Sequence, residues 1–305
     1  RIGAGDRADP LAGQFEDLDL LINWLASQRT ERILAAKVQE LRIQGLLARN
    51  QLAQGLEVGQ AALATLDVAL QPMSDPRQWP GIPALAQLAL DPSSDERIDT
   101  ALRLLVWLTP CAYITSFEMY ARVILTMIEL ARQHPGSHLT PISYTNYGLT
   151  LCGVGRTAEG FAAGQLALQL SERIDNEALR CKVWTLGYGF LQHWQLPVAD
   201  SLAPLLKTVN DSLHCGDQEY LGYASFLYCD KAWGVAHLPG LERDHQQHTD
   251  MVAQFGHDFS WRHCRVWLQF IQALQGRSHS PLALRGEAFD ETQDMASLEA
   301  SNNRF

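Results

Sequence analysis

The chain has 305 residues and a formal net charge of -10, which argues against a general nucleic-acid binder, since that needs a basic footprint. An apolar share of 47% against 19% charged residues describes a folded chain and excludes a disordered one. No stretch reaches the roughly 18 continuous apolar residues that read as a membrane span; the nearest, Leu104 to Ile114, follows Arg103 and is interrupted by Pro110.

Residues 1–30 read as an entry segment, and residues 31–275 as one helical-repeat domain. In the first helix, Arg32 to Arg49, one face carries Leu34, Val38, Leu41, Gly45 and Ala48. A second helix, Ala53 to Leu70, is rich in Ala and Leu and ends before Pro72. Residues 71–92 form a connection bearing Pro72, Pro76, Pro80, Pro83 and Pro92. A third helix is expected from Asp95 to Leu108, after Ser93 and Ser94.

The periodicity is clearest from Phe117 to Gln133. Glu118, Arg122, Thr126, Glu129 and Gln133 recur at steps of four, four, three and four, and almost everything between them is apolar. The pattern predicts a helix with one narrow wet stripe, buried on most of its surface. Ser116 is the expected N-cap, and Pro135-Gly136 stops the helix.

Further helices are expected over Ile142–Val154, Thr157–Arg173, Glu177–Trp194, Ala199–Cys215, Gln218–Ala236, Leu241–Gln254 and Trp261–Leu274. Residues 276–305 read as a tail leading towards a further helix, and both ends read as cuts through a longer polypeptide.

Many helices of similar length with short turns predict an all-α fold: a right-handed superhelical array of antiparallel hairpins, a tetratricopeptide-like α-solenoid. Tyr144, Gly148, Gly160 and Ala167 stand at positions of the tetratricopeptide pattern, although Gly164 replaces its usual aromatic. The pairs Tyr147-Gly148, Leu186-Gly187 and Leu221-Gly222 repeat at 39 and 35 residues, close to helical-repeat periods. Small residues belong there because two helices approach closely only where side chains are small.

The motifs that carry chemistry are weak. Gly153, Gly155, Arg156 and Thr157 lack the ending of a phosphate-binding loop and follow a helix, so they read as a turn. His245 and His248 lie three apart near His257 and His263, but in a polar context that predicts a solvated face, not a zinc site. The six cysteines, Cys111, Cys152, Cys181, Cys215, Cys229 and Cys264, show no C-x-x-C pair and read as free thiols of a reducing, cytoplasmic compartment. Kinase and hydrolase signatures are absent. The expectation is therefore no catalytic residue, no cofactor and no metal.

The aromatics are the candidate partner or ligand face: Trp184, Tyr188, Trp194, Tyr220, Tyr223, Trp233, Trp261 and Trp267. Helical repeats present such residues to partners. Packing between repeats is the plainer use of the same rings.

Three runs carry a family resemblance: Thr100 to Thr115 (TALRLLVWLTPCAYIT), Tyr147 to Gly153 (YGLTLCG) and Gly164 to Leu170 (GQLALQL). The stretches Leu284–Glu291 and Ala300–Arg304 share it. They resemble the central helical region of large bacterial multi-sensor signalling kinases, typical of cyanobacteria. Those proteins join a serine/threonine kinase domain, an AAA-like ATPase, helical repeats, GAF or PAS sensors and often a histidine kinase. The resemblance implies a non-catalytic scaffold that relays between flanking domains or binds another signalling protein. No kinase or ATP-binding residue carries over, because no position matches those motifs. The alternative is a small-molecule sensor with an aromatic-lined pocket.

Overall fold

The computed structural model describes residues 20–24, 31–49, 51–88, 95–173, 175–278 and 282–300, so most of the entry segment, the end of the connection with the two residues after it (89–94) and the last five residues lie outside the described part. The chain divides into two compact units, Arg1–Gly155 and Arg156–Phe305. Among the described residues there is no strand; Arg285 and Asp290 make one isolated bridge.

In the first unit, α1 (Arg32–Ala48) pairs with α2 (Leu52–Thr65), α3 (Glu96–Thr115) packs on both, and α4 (Phe117–Gln133) and α5 (Thr140–Gly153) follow. The periodicity places α4 at its observed bounds. The Ser116 hydroxyl accepts the Met119 N–H at 3.1 Å, and Tyr120, Val123, Ile124, Met127 and Ile128 are buried. Its polar stripe is not wet throughout. Thr126 is 2% exposed and accepts the Gln71 N–H at 2.9 Å, while Arg122 Nε donates to the Gln71 carbonyl at 3.3 Å. The proline-bearing connection thus lies along that stripe. It is pinned again where the Tyr147 hydroxyl donates to the Pro80 carbonyl at 2.6 Å.

The third helix runs further than the sequence predicts, straight through Pro110 to Thr115. Proline removes a backbone donor and crowds the preceding turn, at a cost of about 3 kcal/mol. Burial outweighs that cost here: Leu104, Leu105, Leu108, Cys111 and Ala112 are fully buried. Hydroxyls also bond back to nearby carbonyls, Thr109 to Leu105 at 2.9 Å and Thr115 to Cys111 at 2.7 Å. On the α1 side, Glu40 takes Arg103 Nε at 3.1 Å and Trp107 Nε1 at 3.2 Å.

The second unit begins with α6 (Thr157–Ser171) and α7 (Glu177–Leu186). The α7 helix continues without a break into a π-helical turn, Gly187–Leu191, and a 3-10 turn, Gln192–Trp194. A further 3-10 turn, Val198–Ser201, leads into α8 (Leu202–Cys215); α9 (Gln218–Ala232), α10 (Leu238–Gln254), α11 (Asp258–Leu274) and α12 (Glu291–Ala300) complete it. Asn176 and Asp217 cap α7 and α9 by accepting the Leu179 and Tyr220 N–H groups. Pro239 opens α10 at a first-turn position, so that helix starts three residues earlier than the sequence suggested.

From α6 to α11 each helix packs on the next, and α9 also packs on both α7 and α11. Adjacent hairpins with stacked first helices are the packing of an α-solenoid. The core between them holds Leu205, Val209, Leu221, Leu227, Leu241, Val252 and Ile271. The described tail docks on α11. Arg265 donates to the Ala288 carbonyl at 2.6 Å, Gln269 Oε1 accepts the Ala288 N–H at 3.2 Å, and Phe289 is buried.

Candidate functional site

All eight candidate aromatics lie in the second unit, and the helices put them to different uses. Trp184 on α7 is half-buried. Its Nε1 donates to Ser171 at 3.1 Å, Tyr188 meets it edge-on, and Lys207 lies over its face at 5.2 Å. Tyr220 and Tyr223 on α9 join a cluster of edge-to-face rings with Phe226, His257 and Phe259, at centroid distances of 5.2 to 6.2 Å. Such geometry suits ring quadrupoles and marks packing between α9 and α11. Trp261 lies under the Arg265 guanidinium, 4.7 Å from its centroid.

Two of these eight residues, both tryptophans, face solvent. Trp194 is 47% exposed and stacks on His193 with centroids 5.6 Å apart. Trp233 is 44% exposed and stacks on Trp267 at 6.3 Å, with Phe270 edge-on to both. Trp194 ends the 3-10 turn that continues the α7 stretch, Trp233 directly follows α9, and the two helices pack together. Leu196, Val235 and Leu274 are exposed in the same unit, each close after the end of a helix or in its last turn.

Charge in this unit is held in poor solvent. Burial raises the Glu219 carboxyl, against the opposing pull of Lys182. Burial pushes the Tyr223 hydroxyl well above its usual range, and the neighbouring Glu219 pushes the same way. Lys182 stands 3.8 Å from Asp217 and 4.8 Å over the Tyr220 ring.

His245 and His248 do not lie on a solvated face. His245 is fully buried and His248 is 8% exposed, because α10 turns that edge towards α9. Tyr228 of α9 covers His248 at 4.9 Å and bonds Asp244 at 3.3 Å. Sequence reasoning missed this because Glu242, Arg243, Asp244, Gln246 and Gln247 surround the two rings with polar neighbours. The spacing of Leu241, His245, His248 and Val252 at four, three and four was the available signal. Among the described residues no three His, Cys, Asp or Glu side chains are grouped to hold a metal. Of the six thiols, Cys111, Cys181, Cys229 and Cys264 are buried, Cys152 is half-buried and Cys215 is exposed.

One serine, histidine and aspartate trio occurs in the first unit. Ser137 donates to Asp99 at 2.5 Å, and His138 lies 3.9 Å from the other oxygen of that carboxylate. The hydroxyl donates to the carboxylate and makes no hydrogen bond to the histidine, so the serine–histidine contact of an activated nucleophile is missing. The trio ties the start of α3 to the turn before α5.

This arrangement of stacked hairpins has a solved counterpart. The fold is a tetratricopeptide-like helical array. It is similar to the crystal structure of a signal transduction ATPase with numerous domains (STAND) protein with a tetratricopeptide repeat sensor, from Pyrococcus horikoshii. The TM-score is 0.55 at 13% sequence identity, over 96% of this chain and 41% of that one. The chain thus spans well under half the length of that structure. No protein-family model matches the chain, and no curated protein matches it. No described helix is long and apolar enough to cross a membrane.

Proposed function

We propose that the chain is a non-catalytic helical scaffold within a multidomain signalling protein of the bacterial cytoplasm. It relays between an ATPase or kinase module and sensor domains by binding the domains that flank it, or another signalling protein. Residues 31–275 bear the repeats, with 1–30 leading in and 276–305 leading on.

The observation that carries this reading is the pair of exposed indoles, Trp194 and Trp233, beyond the ends of two helices packed together. Tryptophan is enriched among residues that dominate binding energy, and its cost in water is recovered when a partner covers it. The fold shared with a STAND protein that carries a repeat sensor supports the signalling setting. Stacked hairpins also bend as a unit, which suits a relay.

The test is calorimetry between this chain and each domain that flanks it in its natural polypeptide. Heat of binding that is lost in Trp194→Ala and Trp233→Ala supports the relay. Absence of binding to every flanking domain sinks the relay between flanking domains and leaves only the binding of another signalling protein.

A further inference from the structure

Packing leaves one polar cluster of the second unit unexplained. Lys231, in the last turn of α9, has a side chain only 9% exposed. Its ion pair is a 3.9 Å contact to Asp230, its own chain neighbour, which is too long for a hydrogen bond. Burial pushes the Lys231 ammonium down and the Asp230 carboxyl up.

Three more groups at this end lack partners. Gln192 is 6% exposed and Ser201 fully buried, and neither Gln192 Oε1 nor Ser201 Oγ has a hydrogen-bond partner. His193 Nδ1 is likewise buried and unpartnered. A buried polar group left unpaired is costly, and native structures leave few of them.

The backbone brings them together. A Cβ on Gly189 would stand 2.7 Å from the Leu227 side chain, so the two helices touch there. Four residues further along each helix stand His193 and Lys231. The His193 imidazole is held down by burial and then by the Lys231 charge. The turn Val198–Ser201 packs on both the Gln192–Trp194 turn and α9.

We propose that Lys231, His193, Ser201 and Gln192 form a binding site for a hydrogenphosphate group, either inorganic phosphate or a small phosphomonoester in its singly protonated form. The ammonium supplies charge and three donors, the Ser201 hydroxyl a fourth, and the imidazole a fifth in the tautomer with its proton on Nδ1. The Gln192 oxygen is an acceptor and needs a donor from the ligand. Hydrogenphosphate carries one in its P–OH; sulfate and carboxylates do not. The site stands apart from the partner-binding reading, and either can fail without the other.

The chain would be titrated at pH 7 and constant ionic strength with sodium phosphate, phenyl phosphate and sodium sulfate. The readouts are melting temperature and the emission of the tryptophans, of which Trp194 stacks on His193. A saturable change is expected with phosphate or phenyl phosphate, and only a gradual salt effect with sulfate. Saturation by phosphate alone identifies the free ion; tighter binding of phenyl phosphate identifies a monoester. Lys231→Met keeps the buried stem and should weaken binding by about tenfold or more. Ser201→Ala is the second variant should the first not fold, and it should weaken binding by a smaller factor. Sulfate saturating as well as phosphate would overturn the proposal. So would the absence of saturation by either phosphate, or folded variants that titrate like the parent chain.

Discussion

The His245 ring ties α10 to the end of α9 through the backbone of Cys229: its Nε2 lies 3.1 Å from the Cys229 carbonyl, while Nδ1 lies 2.9 Å from the Leu241 carbonyl. Cys229 is among the last four residues of α9, whose carbonyls have no partner within the helix. A neutral ring has one N–H and satisfies one of these oxygens at a time. Replacing the ring by Leu leaves a buried carbonyl bare. His245→Leu should lower the unfolding free energy by about 1–3 kcal/mol, read from urea denaturation followed by circular dichroism.

The second unit should be the acid-sensitive one. Burial, followed by the charge of His245, holds His248 at about 4, and burial likewise lowers His193, His245 and His257. Each folded-state value lies below the unfolded one near 6.5. Their contribution to stability is therefore complete above about pH 6.5 and is lost as pH falls towards 4. For His248 alone the loss is on the order of 3 kcal/mol. Calorimetric melting temperatures between pH 7 and 4 should fall, and His248→Gln should flatten the curve.

Two glycine substitutions should have opposite signs. A Cβ on Gly222 would meet His257 Nδ1 at 2.8 Å and Ser260 Oγ at 2.9 Å, at the N-cap of α11. Gly222→Ala should therefore destabilise by about 1–2 kcal/mol despite its better helix propensity. Gly153, at the end of α5, meets nothing within 4 Å. Gly153→Ala should be neutral or stabilise by up to about 1 kcal/mol. Thermal melts of the two variants side by side decide the matter.

The exposed indoles should matter for binding and not for folding. Trp194→Ala and Trp233→Ala should each weaken a flanking-domain complex by about tenfold or more, with melting temperatures within a few degrees of the parent. Trp184→Ala is the contrast. It removes the bond to Ser171 and the contacts with Tyr188 and Lys207, so its effect should fall on stability.

Much of the fold was legible because helical period is written in side chains. The polar steps of four, four, three and four from Glu118 to Gln133 fix α4 at both ends. Pro110 misled, because the local rule that proline stops helices gave way to burial on both sides of α3. The histidines misled for the converse reason: polar chain neighbours concealed which edge of α10 faces α9. The aromatic residues could be assigned to helices, but period alone does not separate Trp194, open to solvent, from Tyr223, enclosed by rings. That separation depends on where each helix ends. The cluster at Lys231 left no mark in the sequence, since its members come from three elements and match no spacing.

The π-helical turn at Gly187–Leu191 holds five residues where an α turn holds fewer than four. One surplus residue has in effect been threaded into the helix. Everything beyond it is rotated by about 100° relative to an uninterrupted helix. That rotation decides that Gln192 turns inward and Trp194 outward. Removing a single residue from Gly187–Leu191 would let the helix rewind, leaving the composition of the face almost unchanged and its members pointing elsewhere. Sequences that share these aromatics but not the surplus residue would therefore carry the same letters on a different surface.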